Sequence, residues 1–234
     1  MALSVVSAQQ ITKRFNQGGA SLLVFDKIDC TLTQGHTYAL MGVSGAGKST
    51  LLHILAGLDE PTGGSVFFND KKLSSFSVHD RHELLNKSFG LVFQSSYLIS
   101  ELSVVENVMM PGLIADIPYD QCKSHALEML SVVGLSEKAS SNPLTLSGGQ
   151  QQRVAIVRAL FNKPTFLFAD EPTGNLDEKT GCEVVNFLLE CQQQWKMGLV
   201  VSTHDRYVAD RMETRFVLHN GALHDTLVEK ELHN

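Results

Sequence analysis

The sequence has few cysteines and no long apolar run. The four cysteines lie far apart along the chain, at Cys30, Cys122, Cys182 and Cys191. They form no CxxC pair, so neither a zinc site nor a disulfide framework is expected. No apolar stretch reaches the roughly 20 residues that a membrane-spanning helix needs, and residues 1–10 lack the charged and apolar parts of a secretion signal. We therefore predict a chain that works in a reducing cytoplasm and does not itself span a membrane.

Positive charge is also scarce. Lys and Arg total 19 against 25 Asp and Glu, which gives a formal net charge of -6. A protein with this excess of negative charge is poorly suited to bind a phosphodiester backbone over a wide surface. Nucleic acid is therefore not expected as a main partner. The chain has 234 residues, of which 43% are hydrophobic, and no repeat, low-complexity tract or linker divides it. We predict a single domain over residues 1–234.

Patterns of strand and helix alternate along much of the chain. The apolar runs that predict strands lie at 22–32, 37–41, 65–68, 89–93, 165–169 and 199–202. Helical spacing of apolar residues predicts helices over 48–58, over most of 104–161, and between the last two strands. Asn220-Gly221 lies between two apolar segments and predicts a β-hairpin. Strands that alternate with helices predict an α/β fold with a mainly parallel sheet covered on both faces.

A glycine-rich segment joins the strand at 37–41 to the predicted helix. Residues 42–50 read GVSGAGKST and match the phosphate-binding loop pattern in its required strand-to-helix context. Glycines let backbone N–H groups surround anionic oxygens, and the helix N-terminus adds positive potential. A plain glycine-rich turn is the alternative, which that context disfavours. The predicted nucleotide contacts are Gly42, Ser44, Gly45, Ala46, Gly47, Lys48, Ser49 and Thr50, with Lys48 on the terminal phosphates and Ser49 on Mg²⁺.

An apolar strand at 165–169 leads into Asp170 and Glu171. A parallel sheet delivers acids in this way to the edge where phosphate binds. Asp170 is suited to hold Mg²⁺ through water, and Glu171 to polarise the water that attacks the γ-phosphate. Alone, the pair would favour a solvated acidic turn. Its combination with the upstream phosphate loop favours ATP hydrolysis.

Residues 146–150 read LSGGQ and lie between the phosphate loop and the Asp-Glu strand. This order and spacing resemble those of the ABC ATPases, and the resemblance covers nearly the whole chain. Taken alone, the segment would be read as a helix N-cap turn. The resemblance implies a P-loop NTPase of the ABC ATPase type, with a mainly parallel sheet core, an antiparallel β subdomain and a helical subdomain inserted at roughly 95–160.

The resemblance also implies roles for residues outside these motifs. Gln94 matches the Q-loop, residues 175–177 match the D-loop, and His204 matches the switch histidine. Phe15 takes the adenine-stacking position, where the family usually carries tyrosine; the ring face is kept and the hydroxyl is lost. The implied cofactors are ATP and Mg²⁺. The implied catalytic residues are Lys48, Gln94, Glu171 and His204, and the implied magnesium residues are Ser49, Gln94 and Asp170.

The LSGGQ segment also has a physical interpretation as a second anion-binding cradle. The hydroxyl of Ser147 and the N–H groups of Gly148 and Gly149 would lie at a helix N-terminus, which favours negative charge. In the family the cradle of one subunit covers the nucleotide of the other, so the resemblance implies an isologous homodimer around two ATP molecules. Hydrolysis would then control the opening of the dimer. The residues of the cradle are Ser147, Gly148, Gly149 and Gln150.

Longer stretches narrow the resemblance. Residues 51–59, reading LLHILAGLD, and 171–177, reading EPTGNLD, resemble the branch of lipoprotein-releasing LolD, macrolide-exporting MacB and division-associated FtsE. Residues 106–108, followed by 110–111, also resemble LolD, whereas residues 95–98 depart from the usual LolD sequence. The resemblance implies a peripheral ATPase on the cytoplasmic face of the inner membrane, docked on separate transmembrane permease subunits. Its ATP-driven dimer closure would power transport or release of lipoproteins; a MacB-like exporter or FtsE-like division complex is the alternative.

The sequence disfavours two other classes of protein. A soluble ABC protein acting on ribosomes or DNA usually carries two such domains or long insertions, which this chain lacks. A scaffold in which ATP gates assembly is disfavoured by the intact Lys48, Glu171 and His204. The apolar segment around Met109 and Met110 is predicted either as core or as a docking patch for a partner helix.

Overall fold

The computed structural model describes residues 2–17 and 20–225. The strands are β1 (Val5–Gln17), β2 (Ala20–Thr33), β3 (Thr37–Met41), β4 (Gly63–Phe68), β5 (Lys71–Lys72), β6 (Phe89–Val92), β7 (Phe166–Asp170), β8 (Gly198–Ser202), β9 (Thr214–His219) and β10 (Ala222–Asp225). The helices are α1 (Lys48–Leu55), α2 (Val78–Lys87), α3 (Val104–Ile114), α4 (Tyr119–Val132), α5 (Gly148–Leu160), α6 (Glu178–Trp195) and α7 (Arg206–Ala209). Short 3₁₀ turns lie at Leu73–Ser75, Ser136–Lys138 and Pro143–Thr145.

Six strands form the central sheet, in the order β10-β9-β3-β8-β7-β6. Strands β9, β3, β8, β7 and β6 are parallel, and only β10 at the edge runs antiparallel to its neighbour. The carboxyl ends of the parallel strands therefore share one edge, which is where such sheets bind ligands. The predicted α/β fold with a mainly parallel sheet is confirmed.

The central sheet lies between two hydrophobic cores, as alternation along β7 shows. Phe166 and Phe168 pack with α1 and the antiparallel strands, whereas Leu167 and Ala169 pack with the helices α3 to α6. All four residues are at most 1% exposed. Successive side chains of a strand point to opposite faces, so a continuous apolar run is what a strand covered on both sides requires.

A second, antiparallel sheet has the order β2-β1-β4-β5. No strand was predicted before residue 22, and β1 corrects that prediction. Val6, Ala8 and Ile11 of β1 are buried, but the pairing with β2 shifts register between Ala8 and Ile11 and again before Lys13. These irregularities, with Gln10 at a positive φ of 50°, interrupt the period of two that would have revealed the strand.

Helix α1 is shorter than predicted. The helix was expected to reach residue 58 but ends at Leu55. Gly57 adopts a φ of 73°, and the next N–H, of Leu58, donates to the carbonyl of His53 at 2.8 Å. A left-handed glycine commonly ends a helix in this way. The role of Gly57 was therefore predicted correctly, and the last residue of the helix was not.

The predicted hairpin at Asn220-Gly221 is confirmed. Both residues have positive φ, 49° and 77°, as the two-residue hairpin turn requires, and β9 pairs with β10 on either side of them.

The stretch 104–161 is mostly helical, as predicted, and contains α3, α4 and α5. Val108 and Met109 of α3 are fully buried in the core beneath the central sheet. The core interpretation therefore holds for these two side chains. Within the described part of the chain, no helix has both the length and the apolar character to cross a bilayer.

Phe166 is expected to contribute strongly to stability because it joins the two sheets. Its ring is fully buried and lies edge-on to Phe68 and Phe89, with centroids 6.5 and 6.2 Å away. Phe166→Ala should lower the free energy of unfolding by about 3–5 kcal/mol. Urea denaturation measures this, with Val132→Ala at a 67% exposed position as a control that should change it by under about 0.5 kcal/mol. Equal effects of the two substitutions would contradict the assigned packing.

Candidate active site

A cleft of about 700 Å³ opens beside the loop that follows β3. Its lining residues come from the phosphate loop, from strands β1 and β2, and from the segments just after β6, β7 and β8. The predicted residues that line it are Phe15, Ser44, Gly45, Gly47, Lys48, Ser49, Thr50, Gln94, Glu171 and His204. Gly42, Ala46 and Asp170 are not among the lining residues, nor are the four of the LSGGQ segment.

Gly47 shapes the phosphate loop at the start of α1. Its φ is 100°, and a Cβ there would come within 2.4 Å of Val24 Cγ1, so only glycine fits. Gly47 caps α1 without any side-chain hydrogen bond, which leaves the first turn of the helix without a built-in capping oxygen. A helix N-terminus of this kind favours an anion such as phosphate.

Lys48 places its ammonium group between the loop and Glu171. The residue is 8% exposed, and its Nζ donates to the carbonyls of Gly42 at 3.0 Å and Val43 at 3.4 Å. The same Nζ lies 3.9 Å from Glu171 Oε1. The cation is thus held at the cleft by backbone carbonyls, with a carboxylate on its far side.

Glu171 has a strained backbone and an oriented side chain. It follows β7 with a φ of 45°, a conformation that costs energy outside glycine and concentrates at functional sites. Its N–H donates to the carbonyl of Ser202 at 3.0 Å. Both carboxylate oxygens lie 3.0 Å from His204 Nδ1, a distance at which an Nδ1–H donates to them. The carboxylate is therefore aimed into the cleft by its neighbours.

Asp170 is the last residue of β7 and is 7% exposed. The hydroxyl of Ser202, opposite it on β8, donates to Oδ1, while His53 Nε2 lies 3.9 Å from Oδ2. Asp170 is not a lining residue of the cleft, which agrees with a role on a bound ion through water. Together with Ser49 and Gln94 it offers the hard oxygen donors that Mg²⁺ prefers, so the residues present fit this ion.

Gln94 and Phe15 both line the cleft. The carbonyl of Gln94, just beyond β6, accepts a hydrogen bond from Asn175 Nδ2 at 3.0 Å. Phe15 is 40% exposed, and Lys13 Nζ lies 5.1 Å from the centre of its ring. The ring is therefore accessible for stacking.

Sequence reasoning missed several residues of the site. Leu22 and Val24 also line the cleft, and Ser202 and His53 flank Asp170. The i, i+2 spacing of Leu22 and Val24 places them on one face of a strand, and that spacing could have marked them. No local pattern marks Ser202 or His53, because their contacts depend on the tertiary fold.

The LSGGQ segment begins α5. Ser147 Oγ accepts from the N–H of Gln150 at 3.3 Å, and Gln150 Oε1 accepts from the N–H of Ser147 at 3.0 Å. This is a capping box, so the helix-cap interpretation is confirmed. Ser147 and Gly148 are exposed, and a Cβ at Gly148 would have no neighbour within 4 Å. The anion-binding role remains a prediction, since the chain does not bring this segment to its own cleft.

A parallel sheet that carries a phosphate loop, a buried lysine and a cleft carboxylate at one edge defines a P-loop nucleotide-hydrolysing protein. A family model described as ABC transporter matches residues 25–174. The chain therefore belongs to the ABC transporter family.

The chain is similar to proteins named "Lipoprotein-releasing system ATP-binding protein LolD". The one from Xanthomonas axonopodis pv. citri (strain 306) is 42% identical over 224 residues, covering 96% of this chain and 92% of that protein. The one from Legionella pneumophila (strain Lens) is 40% identical over 220 residues, covering 94% and 97%. The predicted resemblance to LolD is confirmed.

A solved structure of the ATP-binding cassette MJ0796, a dimer in a post-hydrolysis state bound to ADP and Pi, has the same fold. It aligns with a TM-score of 0.87 and 34% identity over 94% of this chain and 98% of that one. These relatives confirm the predicted ABC ATPase fold and an ATP-hydrolysing activity. They also support ATP as the bound nucleotide.

Proposed function

We propose that this chain is the ATPase subunit of a membrane ABC complex that releases lipoproteins from the inner membrane. The contact of Glu171 with His204 beside Lys48 carries the hydrolytic part of the proposal. The similarity to LolD over nearly the whole chain carries the lipoprotein part. We also propose that residues 1–234 form one nucleotide-binding domain, with a helical subdomain at roughly 95–160.

In this proposal the cleft binds ATP from adenine to γ-phosphate. The ring of Phe15 and the side chain of Leu22 offer apolar surface to the base, and the loop N–H groups and Lys48 hold the phosphates. Ser49 and Gln94 would hold Mg²⁺ directly and Asp170 through water. When bound, the ion neutralises charge on the phosphate oxygens.

Glu171 acts on the attacking water. Its carboxylate accepts a proton as the water oxygen approaches the γ-phosphate, and the hydrogen bonds with His204 keep both carboxylate oxygens oriented. Lys48 Nζ, 3.9 Å from Glu171, lies where it can compensate charge that moves toward the phosphate. These roles explain why Glu171 keeps a strained backbone at the end of a buried strand.

A second copy of the chain would complete each site. The exposed Ser147 and Gly148 lie outside their own cleft but present a helix N-terminus, so they suit the nucleotide of a partner subunit. The dimeric MJ0796 structures support this homodimer. Closure around two ATP molecules would then supply the force that is passed to the membrane.

Separate transmembrane permease subunits would receive that force, with this chain bound to their cytoplasmic side. Tyr97 is 68% exposed, Ile114 63% and Ile99 41%. These apolar side chains follow the Q-loop or lie on the helical segment, and they offer docking surface. The arrangement would connect Gln94 to the permease through only a few residues.

The proposal is tested by purifying the tagged chain from membranes of its native host and by depleting it. We expect permease subunits to co-purify, and lipoproteins to accumulate in the inner membrane after depletion, as measured by density-gradient fractionation. The Glu171→Gln chain should co-purify with the same permeases but fail to restore lipoprotein release. Co-purification with regulators of cell-wall hydrolases, or normal lipoprotein distribution after depletion, would reject the lipoprotein assignment.

A further inference from the structure

His53 lies in the last turn of α1 with one ring nitrogen buried and unpaired. Its side chain is 33% exposed, but Nε2 is shielded from solvent and has no hydrogen-bond partner among the described residues. The ring packs edge-on against Phe93, with centroids 5.7 Å apart. A buried polar atom without a partner is costly in free energy, and a role in catalysis or ion binding is among the usual reasons that a protein retains one.

Nε2 of His53 faces the carboxylate of Asp170. The distance from Nε2 to Asp170 Oδ2 is 3.9 Å, which exceeds hydrogen-bond length but would reach it after a shift of about 1 Å. Asp170 is itself buried, and its other oxygen accepts a hydrogen bond from the hydroxyl of Ser202. An ionised carboxylate only accepts, so the ring nitrogen that faces it carries the proton and donates. The two oxygens of Asp170 would then be held from different elements, β8 and α1.

Helix α1 connects His53 to the serine that is expected to bind Mg²⁺. Ser49 and His53 are four residues apart in α1, which places them on one face of the helix, about one turn apart. Ser49 lines the cleft and His53 does not. The helix therefore offers a hydroxyl to the cleft at one turn and a donor to Asp170 at the next. A hydrogen bond from His53 would fix the position of Asp170 relative to Ser49.

We propose that His53 is a positioning residue for the magnesium site, which donates through Nε2 to Asp170 Oδ2 when the nucleotide binds with its ion. The inference rests on the proposed magnesium role of Ser49 and Asp170. The phosphate loop at the start of α1 and Asp170 at the end of β7 would hold the same Mg²⁺-nucleotide, which draws the two elements together and shortens the 3.9 Å gap. Residues that orient metal ligands in this way typically change metal affinity about 10–100-fold when they are mutated.

His53→Phe is the informative substitution. Phenylalanine keeps a planar ring that can pack against Phe93 but has no ring nitrogen. Since Nε2 has no partner within the described part of the chain, its removal should leave the thermal midpoint unchanged or raise it. His53→Gln keeps an N–H donor at a similar reach, so it should restore the function that His53→Phe loses. His53→Leu removes the same donor with a smaller side chain and carries the test if His53→Phe does not fold.

His125→Phe is the matched control. His125 of α4 has a side chain that is 35% exposed, and its ring lies edge-on to Phe161 with centroids 4.8 Å apart. It does not line the cleft. Its Nε2 lies 3.3 Å from the carbonyl oxygen of Phe161, so this substitution removes a polar contact and should lower the thermal midpoint. Both substitutions replace an imidazole with a phenyl ring, but His125 does not face a residue that is proposed to act on Mg²⁺.

The experiment measures the affinity of the full chain for the β,γ-imido analogue of ATP, which is not hydrolysed. Titration calorimetry is performed with Mg²⁺ and with EDTA, and the ratio of the two affinities reports how much the ion strengthens binding. For His53→Phe we expect this ratio to fall toward 1, by about tenfold, while the affinity in EDTA stays at the wild-type value. His53→Gln should restore most of the ratio, and His125→Phe should keep the wild-type ratio.

The possible failures are distinguishable. A wild-type ratio above 1 that survives in both His53→Phe and His53→Leu would overturn the positioning role and leave the magnesium site in place. Equal losses of affinity with Mg²⁺ and with EDTA would also overturn it, because His53 would then act on the structure of the cleft rather than on the ion. A wild-type ratio of 1 would overturn the magnesium site and this inference together. A wild type that does not bind the analogue would overturn the proposed function itself.

Discussion

Glu171→Gln is expected to slow ATP hydrolysis by about 10²-fold or more while leaving ATP binding intact. The amide has the shape of the carboxylate but cannot accept the proton of the attacking water. The substitution also removes a negative charge 3.9 Å from Lys48 Nζ, so the lysine remains free to contact phosphate. Binding and hydrolysis should therefore separate in this one variant.

Light scattering of Glu171→Gln with and without Mg-ATP measures whether this variant dimerises when it binds nucleotide. A trapped ATP should hold two copies together, so the mass should double when nucleotide is added. Glu190→Gln, at an exposed position of α6, makes the same chemical change away from the cleft and should hydrolyse ATP at the wild-type rate. A near-normal rate for Glu171→Gln would reject its role as base.

A monomer of Glu171→Gln with ATP bound would have a different meaning. It would show either that closure requires the membrane subunits or that Ser147 does not act across a dimer. Titration calorimetry on the same sample distinguishes this result from a failure to bind ATP.

The parts of the site that sequence predicts are those encoded in short, contiguous stretches. The phosphate loop, the Asp-Glu pair after β7 and the cap at Ser147 each depend on a local turn or strand end, where residue type determines backbone geometry. Gly47 is an example, since its φ of 100° and its contact with Val24 leave no room for a side chain. The fold class was predicted from the alternation of strands and helices, because each of these patterns is also encoded in a short, contiguous stretch.

The parts that sequence does not predict are contacts between distant segments. Ser202 reaches Asp170 only because β8 pairs with β7 in one register, and Asn175 reaches the carbonyl of Gln94 across 81 positions of the chain. Strand β1 was missed because its bulges break the alternation of buried side chains. The hydrogen bonds from Arg158 to the carbonyls of Ser96 and Tyr97 belong to this group, since a helical arginine alone predicts only a solvated face.

Lys48→Met should weaken ATP binding about tenfold or more and reduce hydrolysis at every ATP concentration. The methionine keeps an apolar stem of similar length, so the substitution removes mainly the ammonium group. A charge-assisted hydrogen bond to phosphate is among the stronger polar contacts in proteins, and its loss of about 1.5–3 kcal/mol corresponds to at least a tenfold change in affinity. Titration calorimetry with ATP measures the change.

Lys72→Met is the control for Lys48→Met. Lys72 is exposed on β5 and does not line the cleft, so it loses the same charge without a change in ATP affinity. Because Lys48 Nζ also donates to Gly42 O and Val43 O, part of the loss in the variant comes from a loosened loop. The thermal midpoint separates the two contributions: a loosened loop lowers it in the absence of nucleotide, whereas a lost phosphate contact reduces only the rise that ATP produces. Unchanged ATP affinity in Lys48→Met would contradict the assignment of residues 42–50 as the phosphate-binding loop, and with it the position of Glu171 relative to the γ-phosphate.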